Sequence, residues 1–114
     1  MIVYCDGSGT GLYGYYVPSL GVLNYGKREN ITHNEAEYHA IILALEDYPN
    51  SNMTIYTDSL LVVNQYNGTY KVKDPKMKYL LSRIRELSRN RRVEILYIRR
   101  KHNLADRILR GYRC

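Results

Sequence analysis

The sequence predicts an α/β fold, a mixed five-stranded sheet flanked by helices, on three observations. Short runs rich in β-branched and aromatic residues are bounded by Gly, Pro, Asn and Asp, as strands are. The first three runs follow one another closely, whereas the later ones are separated by stretches with helical spacing of apolar residues. Early strands therefore pair antiparallel, and later ones return through helical crossovers to run parallel to the first.

In chain order, residues 1–6 read as a strand, broken by the glycines that follow in GSGTG. Residues 12–17 and 20–26, separated by Pro18 and Ser19, read as two more strands in a hairpin meander. A helix spans about 34–48, with Thr32 and Glu35 in a capping-box pattern before it and Pro49 behind it. Residues 53–57 form a short strand, after which Asp58 and Ser59 open a helix that runs to about Tyr66 and closes at Asn67 and Gly68. Asp74 before Pro75 marks the next helix, in which Met77, Leu80, Leu81, Ile84 and Leu87 recur at helical spacing. Residues 93–98 are apolar apart from Glu94, which suits a strand covered on both faces. A short helix over about 104–109 ends near Gly111.

At 114 residues, 45% apolar and 25% charged, the chain is expected to be one soluble domain, 1–114, large enough to bury its own core. No apolar run approaches the roughly 18 residues of a membrane span. MIVYCDGSG lacks a secretory pattern, so the expected compartment is cytoplasmic. Two cysteines, Cys5 and Cys114, make neither a disulfide framework nor a zinc motif, and the expectation for Cys5 is a buried thiol. A Cys5–Cys114 bond would need an oxidising or thermophilic host. Thirteen tyrosines with no Phe or Trp read as compositional bias, with Tyr filling the core as well as the surface.

The net charge of +6 is unevenly spread. Residues 1–70 hold two basic residues against seven acids, a net of −5, while residues 71–114 hold fifteen against four, a net of +11. Such asymmetry suits a polyanion held on one side while carboxylates act on the other, and nucleic acid is the obvious polyanion. A merely solvated basic face is the plainer alternative.

Four acids fall where segments change direction: Asp6 in YCDGSG, Glu37 in THNEAEYHA, Asp58 in IYTDSLLVV and Asp106 in KHNLADRIL. Asp6 and Asp58 end the first and fourth strands; if those strands are neighbours, both carboxylates project from one edge of the sheet, where ligands of such sheets collect. Glu37 shares a helical stripe with Ile41 and Leu45 and so faces the sheet. Carboxylates gathered this way repel and need a cation to stay ionised. Magnesium prefers oxygen ligands, and two such ions about 4 Å apart activate water and stabilise the leaving oxygen of a phosphodiester. Singly, each acid has a simpler role: Asp58 capping a helix, Asp106 favouring a helix start, Asp6 turning the chain.

The motifs resemble ribonuclease H of type 1, whose members read DGS after the first strand, TNNxAEY at the first helix, TDSxLVVNQ after the fourth strand and N-x-x-AD further on. The matching segments are Asp6-Gly7-Ser8, residues 32–38, residues 57–65 and residues 102–106. The resemblance covers nearly the whole chain and implies a ribonuclease H-like fold. It also implies endonucleolytic cleavage of the RNA strand of RNA/DNA hybrids with Mg2+ or Mn2+, two ions per site, leaving 3′-hydroxyl and 5′-phosphate ends. Position by position, Asp6, Glu37, Asp58 and Asp106 become catalytic metal ligands. Gly7, Ser8, Asn34 and Glu37 approach RNA 2′-hydroxyls, Thr32 meets a DNA phosphate, and Ser59 joins the substrate-binding positions. Reading 2′-hydroxyls across a shallow minor groove selects RNA with little sequence preference.

The chain departs from the family pattern in three places. His33 replaces one asparagine of TNN. One residue fewer separates Asn103 from Ala105-Asp106, so either the loop is shortened or His102 takes the asparagine's place. Some family members carry a histidine in this loop that assists proton transfer or product release, which makes His102 a catalytic candidate beside the plainer reading of a solvent or phosphate-facing side chain. His39 should point away from the site. The third departure is compactness: the chain is expected to be a compact form without a hybrid-binding module or a separate basic handle. Lys71, Lys73, Lys76, Lys78, Arg83, Arg85, Arg89, Arg91, Arg92, Arg99, Arg100 and Lys101 are expected to hold the DNA strand in its place, with strong salt dependence. GSGTG lacks the Lys-Ser/Thr ending of a phosphate loop and reads as a turn that lets backbone approach the substrate. The expected partner is the RNA/DNA hybrid, with no protein partner, no membrane, and a monomeric chain. Two competing functions remain: a DNA-directed nuclease of the same fold, resolvase or integrase-like, and a non-catalytic hybrid or RNA-binding module, which would have lost an acid.

Overall fold

A computed structural model describes residues 1–112. Strands β1 (Ile2–Gly7), β2 (Leu12–Val17) and β3 (Val22–Lys27) form an antiparallel meander. Strands β4 (Met53–Thr57) and β5 (Val93–Tyr97) extend it in parallel, giving one sheet of order β3-β2-β1-β4-β5. Helices α1 (His33–Asp47), α2 (Leu60–Tyr66), α3 (Pro75–Leu87) and α4 (Leu104–Leu109) complete the fold. This is the mixed five-stranded sheet expected from the pattern of strands and crossovers. Among the described residues no helix is long and apolar enough to cross a membrane.

Local chemistry accounts for where the helices begin. Thr32 Oγ1 accepts from the Glu35 amide at 3.1 Å while the Thr32 amide donates to Glu35 Oε1 at 3.2 Å, so the capping box satisfies two donors that a helix start leaves free. Asp74 Oδ1 accepts from the Lys76 amide, and Pro75 sits at the first helical position, where its missing N–H costs nothing. Met77, Leu80 and Ile84 form the buried stripe of α3, each side chain contributing roughly 1.5–3 kcal/mol by leaving water.

Alternation along the strands divides the interior into two unequal parts. Val3, Cys5, Tyr15, Ile55 and Ile95 face α1, α2 and α3 in the main core, with Ile41, Leu45, Val62 and Ile84. The opposite sheet face carries a small cluster in which Leu12 meets Ala105 and Leu109 of α4, flanked by Tyr4, Tyr16 and Leu23.

Two expectations need correction. The third strand begins at Val22 and not at residue 20, because Pro18–Gly21 forms a turn in which Gly21 adopts φ of 63° and Leu20 stays exposed. β5 is not covered on both faces: it is the edge of the sheet, with Ile95 buried and Leu96 and Tyr97 exposed by 39% and 45%. An apolar run does not distinguish an edge from an interior strand, and α4 packs chiefly over β1 and β2. Cys5 is buried, and burial, more than the nearby Glu37 and Asp6 charges, pushes its thiol up. Its suggested partner, Cys114, lies outside the described residues.

Candidate active site

The register of two neighbouring strands brings the first two acids together. Cys5 of β1 pairs with Thr57 of β4, so the next residues, Asp6 and Asp58, stand level at the carboxyl ends of parallel strands. Asp106 arrives from α4 on the small-cluster side of the sheet. One carboxylate oxygen from each of Asp6, Asp58 and Asp106 lies within 4.8 Å of the other two. Such an oxygen-only set matches the ligands that magnesium and manganese prefer.

Glu37 approaches from the opposite side. Thr57 Oγ1 donates to its Oε2 at 3.1 Å, and the Gly7 amide donates to its Oε1 at 3.1 Å. His33 Nε2, one helical turn earlier, lies 3.2 Å from the same Oε1. Glu37 is buried as expected, but its oxygens are not among the mutually close set of the three aspartates. Gly7 makes this approach possible, since a Cβ there would collide with the backbone of Ala36 and Glu37.

Asp106 is held differently. Arg110 Nη2 lies 2.8 Å from its Oδ2 and Arg100 Nε 3.5 Å from its Oδ1, with both arginines largely exposed. Buried Asn103 caps α4 by accepting from the Ala105 amide at 3.1 Å, and its Nδ2 donates to the Cys5 carbonyl at 2.9 Å and to Asp58 Oδ2 at 3.4 Å. Asn103 thus ties α4 to the end of β1 and to Asp58. Both Asn103 and Arg110 left signals in the sequence: an asparagine directly before a helix, and a cation four residues after an acid.

Crowded charge shows in the titration of the site. Burial, and then the negative charge of Glu37, push the Asp58 carboxyl up to about 6, with Asp106 adding to the effect and the Asn103 hydrogen bond and Arg100 opposing it. The His33 imidazole is also pushed up, chiefly by its hydrogen bond to Glu37, with burial opposing. Asp6, Asp58 and Asp106 open onto a cleft of about 290 Å³ that is also lined by Gly7, Ser8, Gly9, His33, Tyr97 and Arg100.

The remaining expected residues are distributed unevenly around this cleft. Ser8 lines it, its Oγ within 2.7 Å of Thr10 Oγ1. Thr32 and Ser59 serve as helix caps, Ser59 Oγ accepting from the Val62 amide, and Asn34 is exposed. His102 lies exposed in the turn Arg100–His102 and is not among the lining residues, whereas His33 is. His39 stacks on Tyr13, away from the cleft, as expected.

The basic residues expected to hold DNA fall into two groups. Lys71, Lys73, Lys76, Lys78, Arg89, Arg92, Arg99, Arg100 and Lys101 are exposed. Arg91 instead donates to the carbonyls of Leu45, Tyr48, Ser51 and Leu87, which makes it an internal clasp and removes it from the set. Arg83 is paired with Glu46 and Glu86, and Arg85 donates to the Tyr66 carbonyl.

The RNase H family model matches residues 1–106. A protein of Bacillus subtilis (strain 168), YpeP, described as uncharacterized, is 34% identical over 132 residues, covering 94% of this chain and 58% of that protein. The chain thus spans little more than half the length of that curated relative. Among solved structures, LC11-RNase H1 in complex with RNA/DNA hybrid superposes with a TM-score of 0.81 at 28% identity, over 90% of this chain and 88% of that one. RNase H1 from the halophilic archaeon Halobacterium salinarum NRC-1 gives a TM-score of 0.81 at 25% identity, over 95% and 92%.

Proposed function

We propose, on the premise that this chain belongs to the ribonuclease H family, that it is a metal-dependent endonuclease hydrolysing the RNA strand of RNA/DNA hybrids with little sequence preference. The observation that supports it most is the gathering of Asp6, Asp58 and Asp106 at one cleft, with an oxygen from each within 4.8 Å of the others. LC11-RNase H1 is known in complex with such a hybrid, and the fold likeness supports the same substrate here.

The chain's own residues divide the work. Asp6, Asp58 and Asp106, with Glu37 as a fourth ligand, would hold two magnesium or manganese ions. Such ions supply an activated water and stabilise the leaving oxygen of the phosphodiester. Below about pH 6, taking up the cation requires Asp58 to give up a proton, so in that range binding is coupled to proton release. Small residues at the cleft wall, Gly7, Ser8 and Gly9, let backbone come close to the sugar edge, where 2′-hydroxyls distinguish RNA from DNA. In this reading Asn34 would approach an RNA 2′-hydroxyl, Thr32 would meet a DNA phosphate, Ser59 would join the substrate-binding positions, and His102 would assist proton transfer or product release. The exposed lysines and arginines of α3 and of the segments around β5 hold the DNA strand, so binding weakens steeply with salt. Residues 1–114 act as one catalytic domain and as a monomer.

A cleavage assay with labelled RNA/DNA hybrid, double-stranded RNA and double-stranded DNA, each with magnesium, manganese or chelator, tests this. Hybrid cleavage that needs metal and drops by about 10³-fold or more in Asp58→Asn is expected. Cleavage that survives chelator, or full activity in the variant, sinks the metal mechanism. Cutting confined to DNA would transfer the chain to the resolvase or integrase-like alternative.

A further inference from the structure

We propose that His33 is a positioning residue that holds Glu37 apart from the three aspartates and thereby weakens the hold of the cluster on divalent metal. The inference rests on the metal-binding role proposed above for Glu37. Both oxygens of that carboxylate are engaged, Oε1 by the Gly7 amide and His33 and Oε2 by Thr57. Gly7 and Thr57 are buried parts of β1 and β4, fixed by the sheet itself. His33 is different: its side chain is 63% exposed, it lines the cleft, and the core does not need it.

The contact is a product of helix geometry, since residues four apart in the first turn of α1 lie one above the other. Its ring nitrogen lies on the oxygen that would otherwise have only one donor. While the ring holds Oε1, the mutually close set is the three aspartates. Without it, Glu37 has one donor fewer to leave behind when it turns toward the cluster. His33 therefore sets the metal concentration at which the fourth ligand joins.

Calorimetric titration of Mn2+ into the full chain without nucleic acid reads this directly. His33→Ala should bind Mn2+ about tenfold more tightly, the factor that releasing one hydrogen bond to a charged group is worth. His33→Gln, whose amide nitrogen reaches a similar point, should restore wild-type affinity. In a Glu37→Gln background, His33→Ala should change nothing, because the effect passes through Glu37. An unchanged or weaker affinity in His33→Ala overturns the proposal. So does an equal gain in the Glu37→Gln background, which would mean only that a cationic ring had been removed from near the cluster. Wild-type chain that binds no Mn2+ would sink the metal mechanism and this inference together, whereas wild-type binding with an unaltered His33→Ala sinks this inference alone.

Discussion

Glu37 and Asp106 approach the ends of β1 and β4 from opposite faces of the sheet, and the two faces are built to different standards. On the α1 side, Glu37 is held by a β1 amide, a β4 hydroxyl and a ring of its own helix, over a core drawn from the sheet and three helices. On the α4 side, Asp106 sits on a six-residue helix whose packing is one small cluster, and its visible charge partners are two exposed arginines. One acid is positioned by the core, the other by a clasp. The clasp is Asn103, and much of the order on the α4 side passes through its three hydrogen bonds.

The sharpest way to break the α1 side is Gly7→Ala. The added methyl would strike backbone at Ala36 and Glu37, which cannot step aside as a flexible side chain would. Loss of about 3 kcal/mol, or failure to fold, is expected in urea denaturation; a wild-type midpoint would mean that α1 is not seated against β1 as described.

Asn103→Ala breaks the other side more gently. It removes the α4 cap and strips the Cys5 carbonyl of a buried donor, a cost of about 2 kcal/mol. Hybrid cleavage should fall further than stability suggests, by about 10- to 100-fold under conditions where the variant is folded, because Asp58 and Asp106 are positioned through this side chain. Equal activity at equal folded fraction would show that the clasp is structural only.

The smallest effect lies where the two sides meet, at Asp58. Its carboxyl is raised from 3.8 to about 6, so between those values the folded chain keeps a proton that the unfolded chain has lost. Folding takes up protons in that window, and by linkage this group makes stability fall as pH rises through it and level off above. Thermal melts in chelator should show that fall in wild type and not in Asp58→Asn. Added magnesium, which favours the ionised form, should raise the wild-type melting temperature more at about pH 8 than at about pH 5. A magnesium effect independent of pH would remove Asp58 from the set of acids that bind metal.

Much of the α1 side was legible in the sequence, because its determinants are local. Thr32 and Glu35 announce a helix start and form both hydrogen bonds of the box, and Glu37, Ile41 and Leu45 share a stripe that is buried. The division into an antiparallel meander and later parallel strands followed from which strands are joined by helices. What escaped depends on residues distant in the chain. The level standing of Asp6 and Asp58 needs the β1–β4 register, and the approach of Asp106 needs Leu12 and Leu109 to meet. Whether an apolar run such as Val93–Tyr97 lies inside or at an edge depends on what packs beyond it. His33 was visible only as a departure from a pattern, since its contact with Glu37 depends on where both side chains are turned.

The hydrogen bond from Asn103 to the Cys5 carbonyl joins residues 98 positions apart. During synthesis at about 5–20 residues per second, the first aspartate would be made roughly 5–20 s before the clasp that completes its surroundings. Strands, meander and first helix can form early, but the third aspartate has no place to dock until that long loop closes. A growing chain therefore has its meander and first helix before it has the residue that ties α4 to the end of β1, and the three aspartates come together only once that loop has closed.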